Sequence, residues 1–328
     1  MPPKIRYPLL IPAVILSSLL CGPHAFGATP QPQEQAKKAR FTVQSIADGV
    51  YAVIAARDGN TGFVVGDDGV AVIDTLTSSD AARELLTEIR KVTSMPVRFV
   101  VNTHYHLDHT GGNAVFAAEG ATIVAHRNVR TWTRTENLKF FGPSPKPEQK
   151  AMVERIALPT LVYDDGIELF LGSRRLVVRH FPGHTGGDSI VVVPDGSHGG
   201  VVFCGDLLWK THLPNLIDAS TGLWIGTLAE FAIVYAGSTF VPGHGEVAET
   251  ADVGVFRNYL VTLWEAVAKA QAAGKSGDAL VDAVLPGLKE KYGEWGFFTN
   301  FAKSNILQAG EELSGKKRLP GSRRGSAP

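Results

Sequence analysis

Four side chains that can bind a metal ion lie within six consecutive residues, and this clustering constrains the fold more than any other feature of the sequence. Residues 103–112 read THYHLDHTGG and contain His104, His106, Asp108 and His109. In an extended chain, side chains two residues apart share a face, so His104, His106 and Asp108 are predicted to converge while His109 follows at a turn. Because a zinc site needs three or four ligands, we expect other loops to supply further ligands to this segment.

Three more ligand-type residues stand in glycine-containing turns, each just past a predicted strand. His184 lies in the sequence PGHTGG, Asp206 in CGD and His244 in PGHG. Glycine allows the backbone to come close to an ion, and loops at strand ends commonly carry functional residues. The seven residues together predict a metal site. Imidazole combined with carboxylate, without a thiolate or methionine, suits zinc, iron or manganese better than copper or nickel.

Four other histidines and a single cysteine fit structural roles. A lone histidine at the end of a strand is usually a core or surface residue, and we interpret His126, His180, His198 and His212 in this way. A lone cysteine such as Cys204 usually packs as a small buried hydrophobic residue.

Short strand patterns and helix patterns alternate along the chain, which predicts an α/β protein with two sheets. Apolar residues at spacings of three and four predict a helix that starts at Ser78 or Ser79 and ends before Pro96. Runs rich in β-branched residues predict strands at 51–55, 62–66, 70–74, 97–101, 122–125, 167–171, 176–181, 189–193, 201–203 and 240–241.

Helical patterns dominate the C-terminal part of the chain. Residues 251–273, 278–291 and 300–313 are predicted to form a helical appendage. A further helix is predicted at 128–137. Three prolines make residues 140–148 irregular, and this segment is interpreted either as a loop near the site or as a surface connector.

Composition excludes two broad classes of protein. With 44% hydrophobic residues, the 328-residue chain can bury a substantial core, which excludes disorder throughout, and its length allows one large domain or two. Seven of the 32 basic residues lie in two terminal segments without acidic residues, which leaves 25 basic against 32 acidic residues elsewhere. An acidic body disfavours a nucleic-acid partner. Residues 28–40 are predicted to be a flexible leader, and residues 314–328 a disordered basic tail.

The N-terminal segment has the pattern of an export signal peptide. Lys4 and Arg6 precede an apolar run at 9–20 that is too short for a membrane span, and small residues at 25 and 27 predict cleavage after Gly27. The mature protein is then expected to be periplasmic or secreted, without a stable membrane span. A lipoprotein anchored through Cys21 and an uncleaved N-terminal anchor are the less favoured alternatives.

The ligand-type residues and their order resemble those of the metallo-β-lactamase-fold hydrolase superfamily. The resemblance covers about residues 45–250 and implies an αββα sandwich with the metals at one edge between its two sheets. It implies a catalytic domain at 41–250, followed by C-terminal helices at 251–313. The matching positions are Asp74 at a strand end, the cluster from His104 to His109, His184, Asp206 and His244.

The same resemblance implies a role for each matching residue, with two zinc ions per chain. Asp74 would orient the loop that carries His104. The implied ligands are His104, His106 and His184 for the first metal, Asp108, His109 and His244 for the second, and Asp206 for both.

The expected chemistry is hydrolysis by water that zinc activates. Zinc lowers the pKa of bound water to about 7, so a hydroxide held between the two metals is available at neutral pH. We expect this hydroxide to attack the carbonyl carbon of a lactone, ester or thioester, with Asp108 carrying the proton to the leaving group. The net positive charge of the loaded site favours a small-molecule substrate that is anionic.

Asp206 separates this chain from the β-lactamases that carry a cysteine ligand at the matching position and a lysine three residues later. An aspartate there resembles the thioesterase, lactonase and phosphodiesterase branches, and glyoxalase II in particular. Lys210 and Asn215, in the segment 209–224, are the candidate substrate contacts. Three alternatives stay open: hydrolysis of a β-lactam ring, a mononuclear iron persulfide dioxygenase, and metal binding without turnover.

Overall fold

The computed structural model describes residues 40–56, 58–195 and 199–321. The predicted export signal and its two alternatives, nearly all of the predicted leader, His198 and the end of the basic tail lie outside these ranges. Within them, no helix combines the length and the apolar character needed to cross a membrane.

Twelve strands form two sheets in the described residues, and each of the ten predicted strands overlaps one of them. The first sheet is antiparallel up to its fourth strand and parallel beyond it, and its order is β1 (Phe41–Ala47), β2 (Val50–Ala55), β3 (Thr61–Val65), β4 (Val70–Ile73), β5 (Val97–Asn102), β6 (Thr122–His126) and β7 (Leu161–Tyr163). The second sheet has the order β12 (Thr239–His244), β11 (Val201–Trp209), β10 (Ser189–Val193), β9 (Arg174–His180) and β8 (Gly166–Leu171). Its pairs are antiparallel except for the parallel pair of β11 and β12.

Helices cover the outer faces of both sheets. The first of them begins where predicted, because the Ser78 side chain accepts a hydrogen bond from the Ala81 amide and caps the helix. The helices of the first half are α1 (Ser79–Val92), α2 (Leu107–Thr110), α3 (Asn113–Ala118), α4 (Arg127–Trp132) and α5 (Pro147–Glu154). Those of the second half are α6 (Thr221–Val234), α7 (Thr250–Ala272), α8 (Gly277–Tyr292) and α9 (Phe298–Leu313).

Strand alternation sorts the apolar side chains into three layers. In β4, Val70 and Val72 pack with α1, whereas Ala71 and Ile73 pack between the two sheets. In β11 the outward residues, such as Val202, pack with α6 to α9, and the inward ones join the layer between the sheets. The resulting order is helices, sheet, sheet, helices. The predicted αββα sandwich with a C-terminal helical region is therefore confirmed.

Three predictions about the ligand segments are corrected. His244 is the last residue of β12 and does not lie in a turn after the strand. Asp206 lies inside β11 and not in a turn after it, because the strand continues to Trp209 through a register shift at Gly205, whose φ is +49°. The segment that starts at His104 does not stay extended as far as Asp108, because α2 begins at Leu107.

The proline-rich segment at 140–148 is also more regular than expected. A 3₁₀ helix at Asn137–Phe141 extends into it, and α5 starts within it at Pro147. Proline is compatible with the first position of a helix, where its missing N–H has no partner to lose.

The start of the basic tail is held by Lys317. The ammonium of Lys317 donates hydrogen bonds to the carbonyl oxygens of Leu216, at 2.7 Å, and Ala219, at 2.6 Å, and it lies 3.5 Å from Glu312. Its side chain is only 4% exposed. This part of the tail differs from the solvated segment predicted from the sequence, because the bends at 216–219 offer carbonyl groups that a lysine can satisfy.

We predict that Lys317→Met lowers the free energy of unfolding by about 1–3 kcal/mol, since the Ala219 carbonyl loses the lysine donor and the Leu216 carbonyl keeps only the Ala219 N–H. Lys316→Met is the matched control, because Lys316 is exposed and its substitution should change stability by less than about 0.5 kcal/mol. Urea unfolding of both variants at one metal concentration measures the difference. Equal stability of the two variants would contradict the role of Lys317.

Candidate metal centre

The seven predicted ligand residues meet at one edge of the sandwich. His104 and His106 follow β5, and Asp108 and His109 lie in the short helix α2 directly after them. The other three come from the second sheet, where His184 follows β9, Asp206 lies in β11 and His244 ends β12. The structure therefore brings together every residue that the sequence singled out as a metal ligand.

The first group of ligand atoms comes from His104, His106, His184 and Asp206, all of which are buried. Nε2 of His184 lies 3.0 Å from Nδ1 of His106 and 3.1 Å from Oδ2 of Asp206. Nε2 of His104 lies 3.7 Å from the same Asp206 oxygen.

The second group comes from Asp108, His109 and His244. Oδ2 of Asp108 lies 3.5 Å from Nε2 of His109 and 3.3 Å from Nε2 of His244. The other oxygen of Asp206, Oδ1, lies 3.1 Å from Nε2 of His109 and 3.6 Å from Nε2 of His244. One carboxylate thus contributes an oxygen to each group.

These separations fit two tetrahedral ions. Ligand atoms at about 2.0–2.2 Å from a tetrahedral zinc lie about 3.4 Å from one another, which is the middle of the distances measured in both groups. Among the described residues, Nε2 of His104, Nε2 of His109 and Oδ1 of Asp206 are buried without a hydrogen-bond partner. Unpartnered buried polar atoms are costly, and divalent metal ions in the two groups would satisfy them, with His104 in the first group and His109 in the second.

The charges of the site are set by burial and by opposing neighbours. Burial opposes ionisation of Asp206, but His109, His244 and two further histidines hold the pKa of its carboxyl well below the usual range. Burial likewise disfavours the charged form of His109, yet Asp206, Asp108 and Asp74 raise its pKa well above the usual value. Burial and the neighbouring His109 lower the pKa of His104 far below that of free imidazole. The carboxylates are therefore ionised, as ligands of a divalent cation must be.

Asp74 contacts the residues next to the ligand atoms, in the supporting role that the family resemblance implied. Its carboxylate accepts hydrogen bonds from the backbone N–H of Thr103, at 2.8 Å, and from the Thr103 hydroxyl, at 2.7 Å. It also lies 2.9 Å from Nδ1 of His109, which leaves Nε2 of that ring facing the second group. The φ of Asp74 is +63°, in the left-handed region that a non-glycine residue adopts at a cost.

Asp218 orients a histidine of the first group, as Asp74 orients His109 of the second. Its carboxylate lies 3.2 Å from Nε2 of His106, so that Nδ1 of this ring faces the other ligands. It accepts further hydrogen bonds from the Tyr105 hydroxyl and from Lys139, at 2.5 Å. Burial opposes its ionisation, but His106 and Lys139 hold the pKa of Asp218 below the usual range. No local motif indicates this contact, because the two residues are 112 positions apart.

Two glycines make room for the ligands. A Cβ atom on Gly243 would lie 1.9 Å from Oδ1 of Asp206, and one on Gly59 would lie 2.5 Å from Nε2 of His109. Neither distance leaves room for a carbon atom, so both positions require glycine. Gly243 belongs to the PGHG motif, whereas the loop with Gly59 carries no such pattern.

A cavity of about 310 Å³ opens over both groups. Asn215, one of the two predicted substrate contacts, lines it. Lys210, the other, is not among the described lining residues, because its ammonium donates to Asp252, at 2.9 Å, and to the carbonyl oxygen of Val247, at 2.9 Å. Lys210 is therefore a structural residue and not a candidate for substrate binding.

The residues interpreted as structural lie outside both ligand groups, where they are described. The rings of His126 and His180 stack at 4.2 Å, and Nδ1 of His212 lies 2.7 Å from the Lys210 carbonyl oxygen. Cys204 is buried, and burial raises the pKa of its thiol. A buried, protonated thiol packs as a small hydrophobic residue.

Comparison with known proteins identifies the family. The model of the metallo-beta-lactamase superfamily matches residues 54–253, and the chain therefore belongs to this superfamily. It is 27% identical over 193 residues to the acyl-coenzyme A thioesterase MBLAC2 of Bos taurus, covering 53% of this chain and 68% of that protein. It is 25% identical over 203 residues to the hydroxyacylglutathione hydrolase of Brucella anthropi, covering 60% of this chain and 67% of that one. Both relatives are hydrolases.

A solved structure supports the fold. The metallo-beta-lactamase from Pontibacter korlensis superposes with a TM-score of 0.57 at 20% identity, covering 67% of this chain and 99% of that chain. The similarity confirms the αββα architecture. Membership of the superfamily together with the two ligand groups supports a site for divalent metal.

We predict that Gly243→Ala disrupts the centre, because the added Cβ must displace Asp206 or the β11 backbone. The expected loss is about 1–3 kcal/mol in the free energy of unfolding, accompanied by reduced metal content of the purified protein. Gly226→Ala is the matched control, since Gly226 lies in α6 with open space around it and should gain up to about 1 kcal/mol. Wild-type stability and metal content in Gly243→Ala would show that the close approach is not required.

Proposed function

We propose that this protein is a zinc-dependent hydrolase of a lactone, an ester or a thioester. The observation that carries the proposal is the pair of ligand groups joined by Asp206, each with atoms at the spacing of a tetrahedral site. Similarity to a thioesterase and to a hydroxyacylglutathione hydrolase supports a carbonyl substrate.

Zinc suits this set of imidazole and carboxylate ligands, and when bound it supplies Lewis acidity that polarises a carbonyl group and lowers the pKa of water to about 7. The chain provides the orientation of the ligands. Asp74 and Asp218 hold the rings of His109 and His106 so that one nitrogen of each faces the centre.

Asp108 is the residue placed to handle protons. Its side chain is 34% exposed and lines the cavity, whereas the Asp206 side chain is 3% exposed and enclosed by histidines. Burial opposes ionisation of Asp108, but His109 and His244 hold its pKa well below the usual range, so it is a carboxylate at neutral pH. A carboxylate at the cavity wall can accept a proton from the attacking water and deliver it to the leaving group.

Two alternatives receive less support from the geometry. A mononuclear iron enzyme would use only part of the ligand set, and the second group of Asp108, His109 and His244 converges as closely as the first. A β-lactamase of the cysteine-ligand type would need a cysteine at the position of Asp206 and a lysine grip on the substrate, but Lys210 is engaged by Asp252.

We predict that Asp108→Asn lowers turnover of the cleaved substrate by about 10²–10⁴-fold, because the amide can neither accept the proton nor bind a metal ion as a carboxylate does. Circular dichroism should show an unchanged fold. Asp164→Asn is the control, since Asp164 forms an exposed ion pair with Arg127 and should leave turnover unchanged. Turnover by Asp108→Asn close to that of the wild type would refute the assigned role.

The same assay decides between the substrate classes. Zinc-loaded protein is tested with a lactone, a thioester and a chromogenic cephalosporin, with Asp206→Ala as the background. Cleavage of the lactone or thioester, lost in the variant and in the presence of a chelator, is the expected result. Cephalosporin turnover alone would assign a β-lactamase instead, and no turnover of any of them by the fully loaded protein would refute the proposal.

We also propose that the protein is exported and cleaved after Gly27, as the sequence pattern of its N-terminal segment suggests. The intact mass of the protein isolated from its native cells should then correspond to a chain that starts at Ala28. A native chain that starts at Met1 would overturn this proposal.

A further inference from the structure

The cavity over the ligand groups has aromatic walls on two sides. Phe140 approaches the ring of His106 edge-on, with 4.9 Å between ring centroids. On the other side Trp209 stacks on His244, with 4.0 Å between centroids and an interplanar angle of 26°. Each group of ligands is therefore flanked by an aromatic ring that lines the cavity.

The C-terminal region supplies part of this wall. Phe297, directly before α9, and Phe301, in its first turn, both line the cavity, and their rings lie 5.8 Å apart. The ring of Phe297 also lies 5.9 Å from His244 and 6.1 Å from Trp209. An apolar surface thus continues from the second ligand group to α9.

The backbone of Phe297 is strained. Its φ is +61°, in the left-handed region where a bulky residue is rare and glycine is favoured. Strain of this kind persists where surrounding structure imposes it, and it concentrates at functional sites. Here the strained residue is the one whose ring faces the cavity.

Apart from the metal ions that the ligand groups would hold, the described lining offers an anionic substrate no cationic partner, because it contains neither lysine nor arginine. The positive charge of the loaded site therefore acts only at the reacting carbonyl group, and no cationic side chain is available to a second anionic group farther along the cavity. Lys139, near Phe140, is engaged by two carboxylates: it lies 2.5 Å from Asp218 and 3.4 Å from Glu136. Recognition of a carboxylate or phosphate normally uses an available cationic donor.

We propose that the cavity binds an uncharged, apolar acyl group, aliphatic or aromatic, and that Phe297 and Phe301 determine its size. This inference rests on the proposed hydrolase function and names its substrate class. The volume of about 310 Å³ lies at the lower end of the range for ligand pockets, which favours a short or medium acyl chain. In the reaction the oxygen of water bonds to the acyl carbon, the bond from that carbon to the alkoxide or thiolate breaks, and Asp108 passes the proton to the leaving group.

Binding is tested separately from turnover with methyl ketones, which resemble the acyl group and cannot be hydrolysed. Titration calorimetry of zinc-loaded protein with pentan-2-one, heptan-2-one and nonan-2-one should show affinity rising about fourfold per methylene until the cavity is full. An affinity that does not depend on chain length would overturn the inference.

Variants of Phe301 and Phe297 test whether these two residues of the cavity wall cause the dependence of affinity on chain length. Phe301→Ala should weaken binding of the longest ketone that fits by about ten- to hundredfold. Phe170→Ala is the matched control, because Phe170 is 51% exposed on β8 and does not line the cavity. Phe297→Gly removes a ring that packs against the core while relieving the positive φ, so relief of the strain offsets part of the stability lost with the ring, and affinity should still fall. Wild-type affinity in both cavity variants would show that these residues do not set the size of the site.

Turnover distinguishes failure of this inference from failure of the proposed function. Butyryl and succinyl thioesters of one thiol differ mainly by a terminal carboxylate, and we expect the butyryl compound to have the higher kcat/KM. A preference for the succinyl compound would overturn the apolar substrate class while leaving the hydrolase function intact. Chain-length-dependent ketone binding without cleavage of any ester, thioester or lactone would support the apolar cavity and refute the hydrolase function.

Discussion

The structure of the site depends on one buried carboxylate. Asp206 places one oxygen against each group of ligands, from a position inside a strand of the central sandwich. A buried charge is stable only when opposite charges and hydrogen bonds compensate it, and here histidines surround it on both sides. The backbone adapts to the same residue. Gly205 takes a positive φ that shifts the register of β11, and Gly243 on the neighbouring strand has no side chain where Oδ1 must lie.

A second layer of carboxylates gives the histidines their direction. Asp74 fixes His109 of the second group, and Asp218 fixes His106 of the first. An imidazole bound on one side by a carboxylate presents a defined nitrogen on the other, and it is more basic as a ligand. The two carboxylates follow strands of different sheets. Asp74 lies just after β4 of the first sheet, and Asp218 lies between β11 of the second sheet and α6. The packing of the sandwich therefore determines the geometry of both ligand groups.

Sequence patterns predicted the strands and the ligand residues because each depends on local spacing, whereas the layered αββα fold followed from the family resemblance. The features that escaped prediction depend on contacts between distant segments. Asp218 meets His106 only in the folded chain, and the direction of Lys210 is decided by Asp252 on α7. The grouping of Asp108 with His109 followed from the family resemblance, whereas the extended-chain argument placed Asp108 with His104 because it could not foresee that α2 starts at Leu107.

The C-terminal helices belong to the site as much as to the outer layer of the fold. The buried Asn305 of α9 accepts from the Leu216 amide, at 3.3 Å, and donates to the Pro214 carbonyl oxygen, at 2.8 Å. Together with Lys317 it holds the segment that carries Asn215 and Asp218. The match to the superfamily ends at residue 253, before these residues begin. The metal ligands thus lie within the matched part of the chain, whereas Phe297 and Phe301 of the cavity wall and the support of the segment that carries Asp218 come from the part beyond it. Substitutions there can change substrate preference without altering the ligands.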